Sequence, residues 1–249
     1  SGMGGQINTN STLGSSNFAG SIQSTVKANT TAGFSITTYT GTGSSTTVGH
    51  GLGVKPDVII IKCRSNTDNW MVYHNQANGG VDPEDYYAEL NSTSADVNST
   101  AMLNDTAPTS TVVTIGSDNS VNGSSRTYAM FCFSEVSSYS KFGTYKGNGN
   151  ADGTFIYTGF KPAFVFTKGT WGGNWNIYDN KRPGINVTND ILYPNLSNAE
   201  YDGSSSDNQM DLLSNGFKLR GSDADTNNSA QSFIYLAFAE SPFKNNRAG

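Results

Sequence analysis

Few residues in this 249-residue sequence are of types that do chemistry unaided. There are two histidines, His50 and His74, and two cysteines, Cys63 and Cys132. Two histidines are too few for a three-histidine zinc site. No HExxH, CxxC or GxSxG pattern occurs in the chain. Two acids stand out, Glu135 and Glu240, each just beyond an apolar run (AMFCF and YLAFA). An acid beside apolar neighbours can be held protonated and serve as a general acid, and a pair of acids is what glycoside hydrolysis requires. The competing expectation is a glutamate held by backbone or lysine as part of the scaffold. That expectation is favoured, because the two acids occupy the same place in two similar stretches of the chain.

Two loops space oxygen side chains like the start of a calcium loop. One carries Asp118 and Asn122, the other Asp223, Asp225 and Asn227. The acidic residue that closes such a loop is missing, since its place falls on Ala129 and Ile234. Asp, Asn and Gly clusters also make good turns. The loops are therefore expected to be turns, with Ca2+ as the one cofactor worth testing. Among the aromatics, Trp171 is flanked by glycines in GTWGG and is expected on an exposed loop. Exposed aromatic rings are common binding anchors. Trp70 and Trp175 recur in equivalent text, which points to packing and makes them second-rank binding candidates behind Trp171.

Only 14% of the residues are charged, while Gly numbers 28 and aromatics reach 11%. Disordered chains lack such aromatic content, so this is the composition of short strands joined by tight turns. Lys and Arg total 15 against 20 acids, giving a net charge of −5 with no basic stripe. A nucleic-acid surface needs clustered cations, and so does an anionic membrane surface; neither partner is expected. No apolar run is long enough to predict a spanning helix. Two cysteines in apolar text are expected to be buried free thiols, with a single disulfide as the alternative. The opening residues Ser1-Gly2-Met3-Gly4-Gly5 have no signal-peptide pattern, and the chain is expected to be a piece of a longer protein.

The elements that must position these residues repeat. Thr38-Tyr39-Thr40-Gly41-Thr42-Gly43 matches Thr144-Tyr145-Lys146-Gly147-Asn148-Gly149. At the same offset, Gly53-Val54-Lys55-Pro56 matches Gly159-Phe160-Lys161-Pro162. Asn69-Trp70 then pairs with Asn174-Trp175, Gly116-Ser117-Asp118 with Gly221-Ser222-Asp223, and Glu135 with Glu240. Matches kept in order over such a span predict an internal duplication. The expected organisation is a polar leader over 1–32, one β unit over 33–138 and a second over 139–249. The expected fold class is all-β, two tandem homologous β-sandwich-like units with a polar N-terminal arm. Strands are expected near 34–39, 58–62, 70–74, 86–90, 112–115 and 127–136, and in the second copy near 143–146, 164–168, 175–178, 191–193, 217–220 and 231–239. Little helix is expected beyond a turn near Pro83.

The stretches GFSITTYTGTGSSTTVGHGLGVKPDVIIIKCR, SKFGTYKGNGNADGTFIYTGFKPAFVFTK, LLSNGFKLRG and FIYLAFAESPFK resemble a repeat domain of tailed-phage virion and tail-fibre proteins, of the marine and cyanophage type. The resemblance covers about residues 33–249 and carries no catalytic residues. It implies a virion location, other virion proteins as partners, a likeness to fibre proteins that form homo-oligomers, and contact with a host-surface glycan or receptor. The expected function is binding or structure, not catalysis. The alternatives are a purely structural or capsid-decoration protein and, further off, a glycan-cleaving tail enzyme.

Overall fold

The computed structural model describes residues 14–182, 186–202 and 208–241. It is all-β, with antiparallel sheets and only short helical turns. The chain forms two compact units: Ser1–Glu89 with Val97–Ser134, and Leu90–Asp96 with Glu135–Gly249.

Unit 1 is built from β1 (Ser15–Asn17), β2 (Ser24–Asn29), β3 (Phe34–Thr40), β4 (Thr46–Gly49), β5 (Val58–Cys63), β6 (Trp70–His74), β7 (Tyr86–Glu89), β8 (Val97–Asn98), β9 (Val112–Ile115) and β10 (Thr127–Phe133), with a helical turn α1 (Asn119–Asn122). Its main sheet runs β1-β2-β3-β10-β5-β6-β7-β8, and β4 pairs with β9. Side chains alternate across each strand. Ser35, Thr37 and Tyr39 of β3 and Tyr128, Met130 and Cys132 of β10 face the core, together with Ile59, Ile61 and Cys63 of β5. Val48, Val113 and Ile115 from the smaller sheet pack against this face and complete the sandwich. The 3-10 turn at Pro83–Asp85 lies where a turn is expected. Both cysteines are buried and free.

Unit 2 is built from β11 (Ser140–Lys146), β12 (Phe155–Tyr157), β13 (Pro162–Gly169), β14 (Gly172–Asp179), β15 (Asp190–Ile191), β16 (Tyr201–Asp202), β17 (Met210–Leu213), β18 (Gly216–Leu219) and β19 (Ser232–Ala239), with a helical turn α2 (Ala224–Asn227). Its main sheet runs β11-β19-β13-β14. This is the order β3-β10-β5-β6 of unit 1 with each strand replaced by its sequence counterpart. The second layer, β12-β18-β17, supplies Ile156, Phe217, Leu212 and Met210 to the core.

The two units share details that pairing alone does not require. Tyr39 stacks on Tyr128 at 5.1 Å and donates its hydroxyl to the Val121 carbonyl at 2.6 Å. Tyr145 stacks on Phe233 at 5.0 Å and donates to the Thr226 carbonyl at 2.8 Å. Gly41 and Gly147 admit no side chain, since a Cβ would fall 2.4 Å from the Gly123 carbonyl oxygen and 2.3 Å from that of Asn228. At the centre of each arrangement is a fully buried asparagine. The Asn122 carboxamide accepts from the Thr42 N–H at 2.8 Å and donates to the carbonyls of Ser44 at 2.7 Å and Gly116 at 2.8 Å. Asn227 accepts from the Asn148 N–H at 2.8 Å and donates to the carbonyls of Asn150 at 2.9 Å and Gly221 at 2.7 Å.

The described part of the leader, from residue 14 on, is not a free arm. Ser24–Asn29 alternates buried Ser24 and Val26 with exposed Thr25 and Lys27, and pairs antiparallel with β3, Thr25 opposite Thr38. The partner that orders it is the edge of β3. No helix among the described residues is long and apolar enough to cross a membrane.

Replacing Asn227 by Ala removes one acceptor and two donors from a buried site and strands their partners. Unsatisfied buried groups cost about 1–3 kcal/mol each, partly overlapping here. Asn227→Ala should therefore lower the urea midpoint, by about 2–4 kcal/mol in unfolding free energy, with little change in m-value.

Candidate functional site

The residues singled out in the sequence mostly turn inward. His50 is fully buried, and its Nδ1 accepts the Leu52 N–H at 3.3 Å. Its Nε2 must then carry the proton, which it directs at the Thr109 carbonyl 3.2 Å away. Burial lowers its pKa, so the ring stays neutral. His74 is buried as well, and its Nδ1 accepts from the Gln76 N–H at 3.1 Å. Both rings brace loops from within the fold. Glu135 accepts from the Phe142 N–H at 2.8 Å and pairs with Lys141 at 2.9 Å. Glu240 accepts from Asn180 Nδ2 at 2.6 Å and pairs with Lys161 at 2.9 Å. Each acid is held by a lysine and an N–H donor, the arrangement of a scaffold residue.

The spacing that resembles a calcium loop is used for capping. Asp118 caps α1 by accepting from the Ser120 N–H, and Asp223 caps α2 by accepting from the Asp225 N–H, both at 2.7 Å. Asp225 accepts from the Asn174 backbone at 3.1 Å and side chain at 2.7 Å. Asn122 and Asn227 are the buried braces described above. These oxygens face N–H donors, and among the described residues no group of three or more His, Cys, Asp or Glu is assembled that could hold a metal.

The three tryptophans separate. Trp175 is wholly buried, its ring 4.8 Å from Phe166, which removes it as a binding residue. Trp70 is half-buried, stacked on Phe131 at 6.4 Å with the Lys62 ammonium 5.9 Å from its ring. Trp171 sits on the β13–β14 hairpin, 37% exposed, with its indole over Gly169. The hairpin is tied to Leu90–Asp96 by Gly173 N–H to Thr93 O at 3.0 Å and Asp96 N–H to Thr170 O at 2.9 Å.

A concavity lies elsewhere, on the outer face of the unit 1 sheet. Thr25 of β2 stands opposite Thr38 of β3, and Thr40 opposite Thr127 of β10. Gln23, Ser24, Tyr39 and Arg64 complete the wall of an open groove of about 290 Å³. The face follows from alternation: Tyr39 points into the core, so Thr38 and Thr40 point out. Ser24 is buried and alternates with exposed Thr25, so its side chain turns inward with that of Val26. Ligand clefts span about 300–1,000 Å³, so this groove suits a group the size of one sugar ring. Unit 2 lacks it. Lys146, Ser232 and Thr170 stand at the places of Thr40, Thr127 and Arg64, and β11 ends the sheet order with no counterpart of β2.

Sequence reasoning missed this groove because its walls are threonines, and because β2 reads as linker text. It also missed Phe155 and Tyr157 of β12, which are 43% and 66% exposed on one strand face. The alternating FIY was the available signal.

A family described as "Domain of unknown function (DUF7483)" matches residues 8–242, and the chain belongs to that family. The match runs through both units. No curated protein and no solved structure matches the chain.

Unit 2 contains a group whose charge depends on pH near neutrality. Both Asp96 carboxylate oxygens are buried without a hydrogen-bond partner. Burial pushes the Asp96 pKa up to about 7, against the opposing pull of Lys168. Lys168 is itself buried, with its pKa brought down to about 8 by desolvation. The folded state therefore binds more protons than the unfolded state between about pH 4 and 7, and fewer between about pH 8 and 10. Stability should fall as pH rises through the first window and recover through the second. Asp96→Asn should abolish the fall, as read from thermal midpoints at pH 5 and 7.5.

Proposed function

We infer that this chain is a host-contacting module of a phage virion, in a tail or fibre, that binds a surface saccharide through the unit 1 groove. The observation that carries the binding half is the groove itself: four threonines, a glutamine and an arginine gathered at one face by four neighbouring segments. Hydroxyls and amides donate and accept at once, which suits the alternating donors and acceptors of a sugar. Water bridges complete such contacts without great loss. The virion half rests on the resemblance of the repeat text, and the rigid, turn-rich β architecture suits it. The buried, backbone-bound histidines and lysine-paired glutamates favour a binding protein over an enzyme. Fibre-like assembly as a homo-oligomer with other virion proteins belongs to the same reading.

A second reading, a structural or decoration protein without a small ligand, is favoured by the exposed Phe155 and Tyr157. Paired aromatics on one strand face are suited to burial against another chain.

Thr38 is half-buried on the outer face, so Thr38→Tyr fills the groove without entering the core. Screened on a glycan array and then by calorimetry on the best hit, Thr38→Tyr should lose at least tenfold in affinity, about 1.4 kcal/mol. Trp171→Ala should bind like wild type. The reverse pattern would move the contact to the hairpin, and no glycan binding at all would favour the structural reading.

A further inference from the structure

The groove carries an uncompensated positive charge. Its wall holds one cation, Arg64, and no carboxylate, in a chain where acids outnumber bases 20 to 15. The other arginines among the described residues are committed. Arg126 pairs with Asp68, Arg182 with Asp179 and Glu200, and Arg220 with Asp211. Arg64 is exposed and makes no ion pair or side-chain hydrogen bond among the described residues. Only its backbone is used, donating to the Thr127 carbonyl at 2.7 Å. That bond fixes where the side chain leaves the sheet.

The neighbouring wall adds hydroxyls. Thr25, Thr38, Thr40 and Thr127 stand around the groove on the outer face of the sheet. A guanidinium is a planar fork of donors that matches a carboxylate in a bidentate way, and it stays charged at any physiological pH. A neutral sugar would leave that fork unmatched. The equivalent place in unit 2 holds Thr170, so the cation belongs to the groove and not to the shared scaffold.

We propose that the unit 1 groove binds a carboxylate-bearing sugar residue, of the uronic or sialic type, with Arg64 holding the carboxylate and the threonines holding the ring hydroxyls. The proposal rests on the saccharide reading of the groove and narrows it to acidic glycans. Arg64 is then the residue that sets specificity, and the threonines set the general affinity for sugar.

The test is calorimetry with the full chain at low salt. The ligands are a uronic-acid oligosaccharide, the same oligosaccharide with its carboxyls reduced to alcohols, and a sulfated neutral oligosaccharide. The acidic sugar should bind at least tenfold more tightly than its reduced form, and Arg64→Gln should erase that preference while leaving the weak binding of the reduced form intact. An unchanged thermal midpoint for Arg64→Gln would show that folding is not the cause. Equal binding of acidic and reduced sugars by wild type would overturn the acidic assignment and leave the saccharide reading standing. Equal binding of the sulfated sugar would overturn the carboxylate assignment. Failure of all three ligands to bind would overturn both the proposal and the reading beneath it.

Discussion

Each unit is organised around one buried primary amide. A carboxamide has two donors and an acceptor, and burying it without partners is costly. Asn122 and Asn227 meet that demand by drawing the loop after β3 or β11, the loop before the helical turn and the turn itself to one point. The Asp caps at 118 and 223 start the turns that present these amides. The consequence reaches the groove. In unit 1 the same loop holds Gly41 to Arg126 through backbone hydrogen bonds at 2.8 Å and to Ser125 at 2.9 Å. The next residues along, Thr40 and Thr127, are groove walls. The amide brace thus sets the separation of two groove walls without touching a ligand.

The shared scaffold also explains why the units differ where they do. Strand order, aromatic stacks, braces and caps recur, and the unit 1 groove comes from what that unit adds to them. Unit 1 has β2, recruited from the leader, and with it Gln23, Ser24 and Thr25. Unit 2 has Leu90–Asp96 along its β13–β14 hairpin, near Lys168, whose counterpart Lys62 is only half-buried. Both lysines keep the same bond to a hairpin carbonyl, Asp68 in one unit and Gly173 in the other. A brace common to both units has therefore become, in unit 2 alone, part of a desolvated pair with Asp96.

Much of the fold was legible in the text. β6 and β9 fall at the expected positions, and β3, β5, β10 and β19 start within a residue or two of theirs. Those runs are read because β-branched and aromatic residues gather in short apolar stretches bounded by turn residues, alternating in β3 and nearly continuous in β6 and β19. β2 was not legible, since Val26 is its single large apolar residue; it forms because the edge of β3 offers unpaired backbone groups. The helical turns are four residues long, too short for a period, and only their capping aspartates could have revealed them. The site was harder still. Trp70 and Trp175 sit in the same sequence context, yet one is half-buried and the other wholly buried, because exposure depends on what lies across the strand. Threonines in a groove look like threonines in a turn until the register of Thr25, Thr38, Thr40 and Thr127 is known.

The central claim, that unit 1 holds a saccharide against the outer sheet face, is tested most directly by amide NMR of the isotope-labelled chain titrated with an acidic oligosaccharide. The account predicts shifts concentrated on the amides of Gln23 to Thr25, Thr38 to Thr40, Arg64 and Thr127, with the equivalent amides around Thr144, Thr170 and Ser232 unmoved. Shifts centred on the Trp171 hairpin or on Phe155 and Tyr157, with the groove amides unmoved, would contradict it.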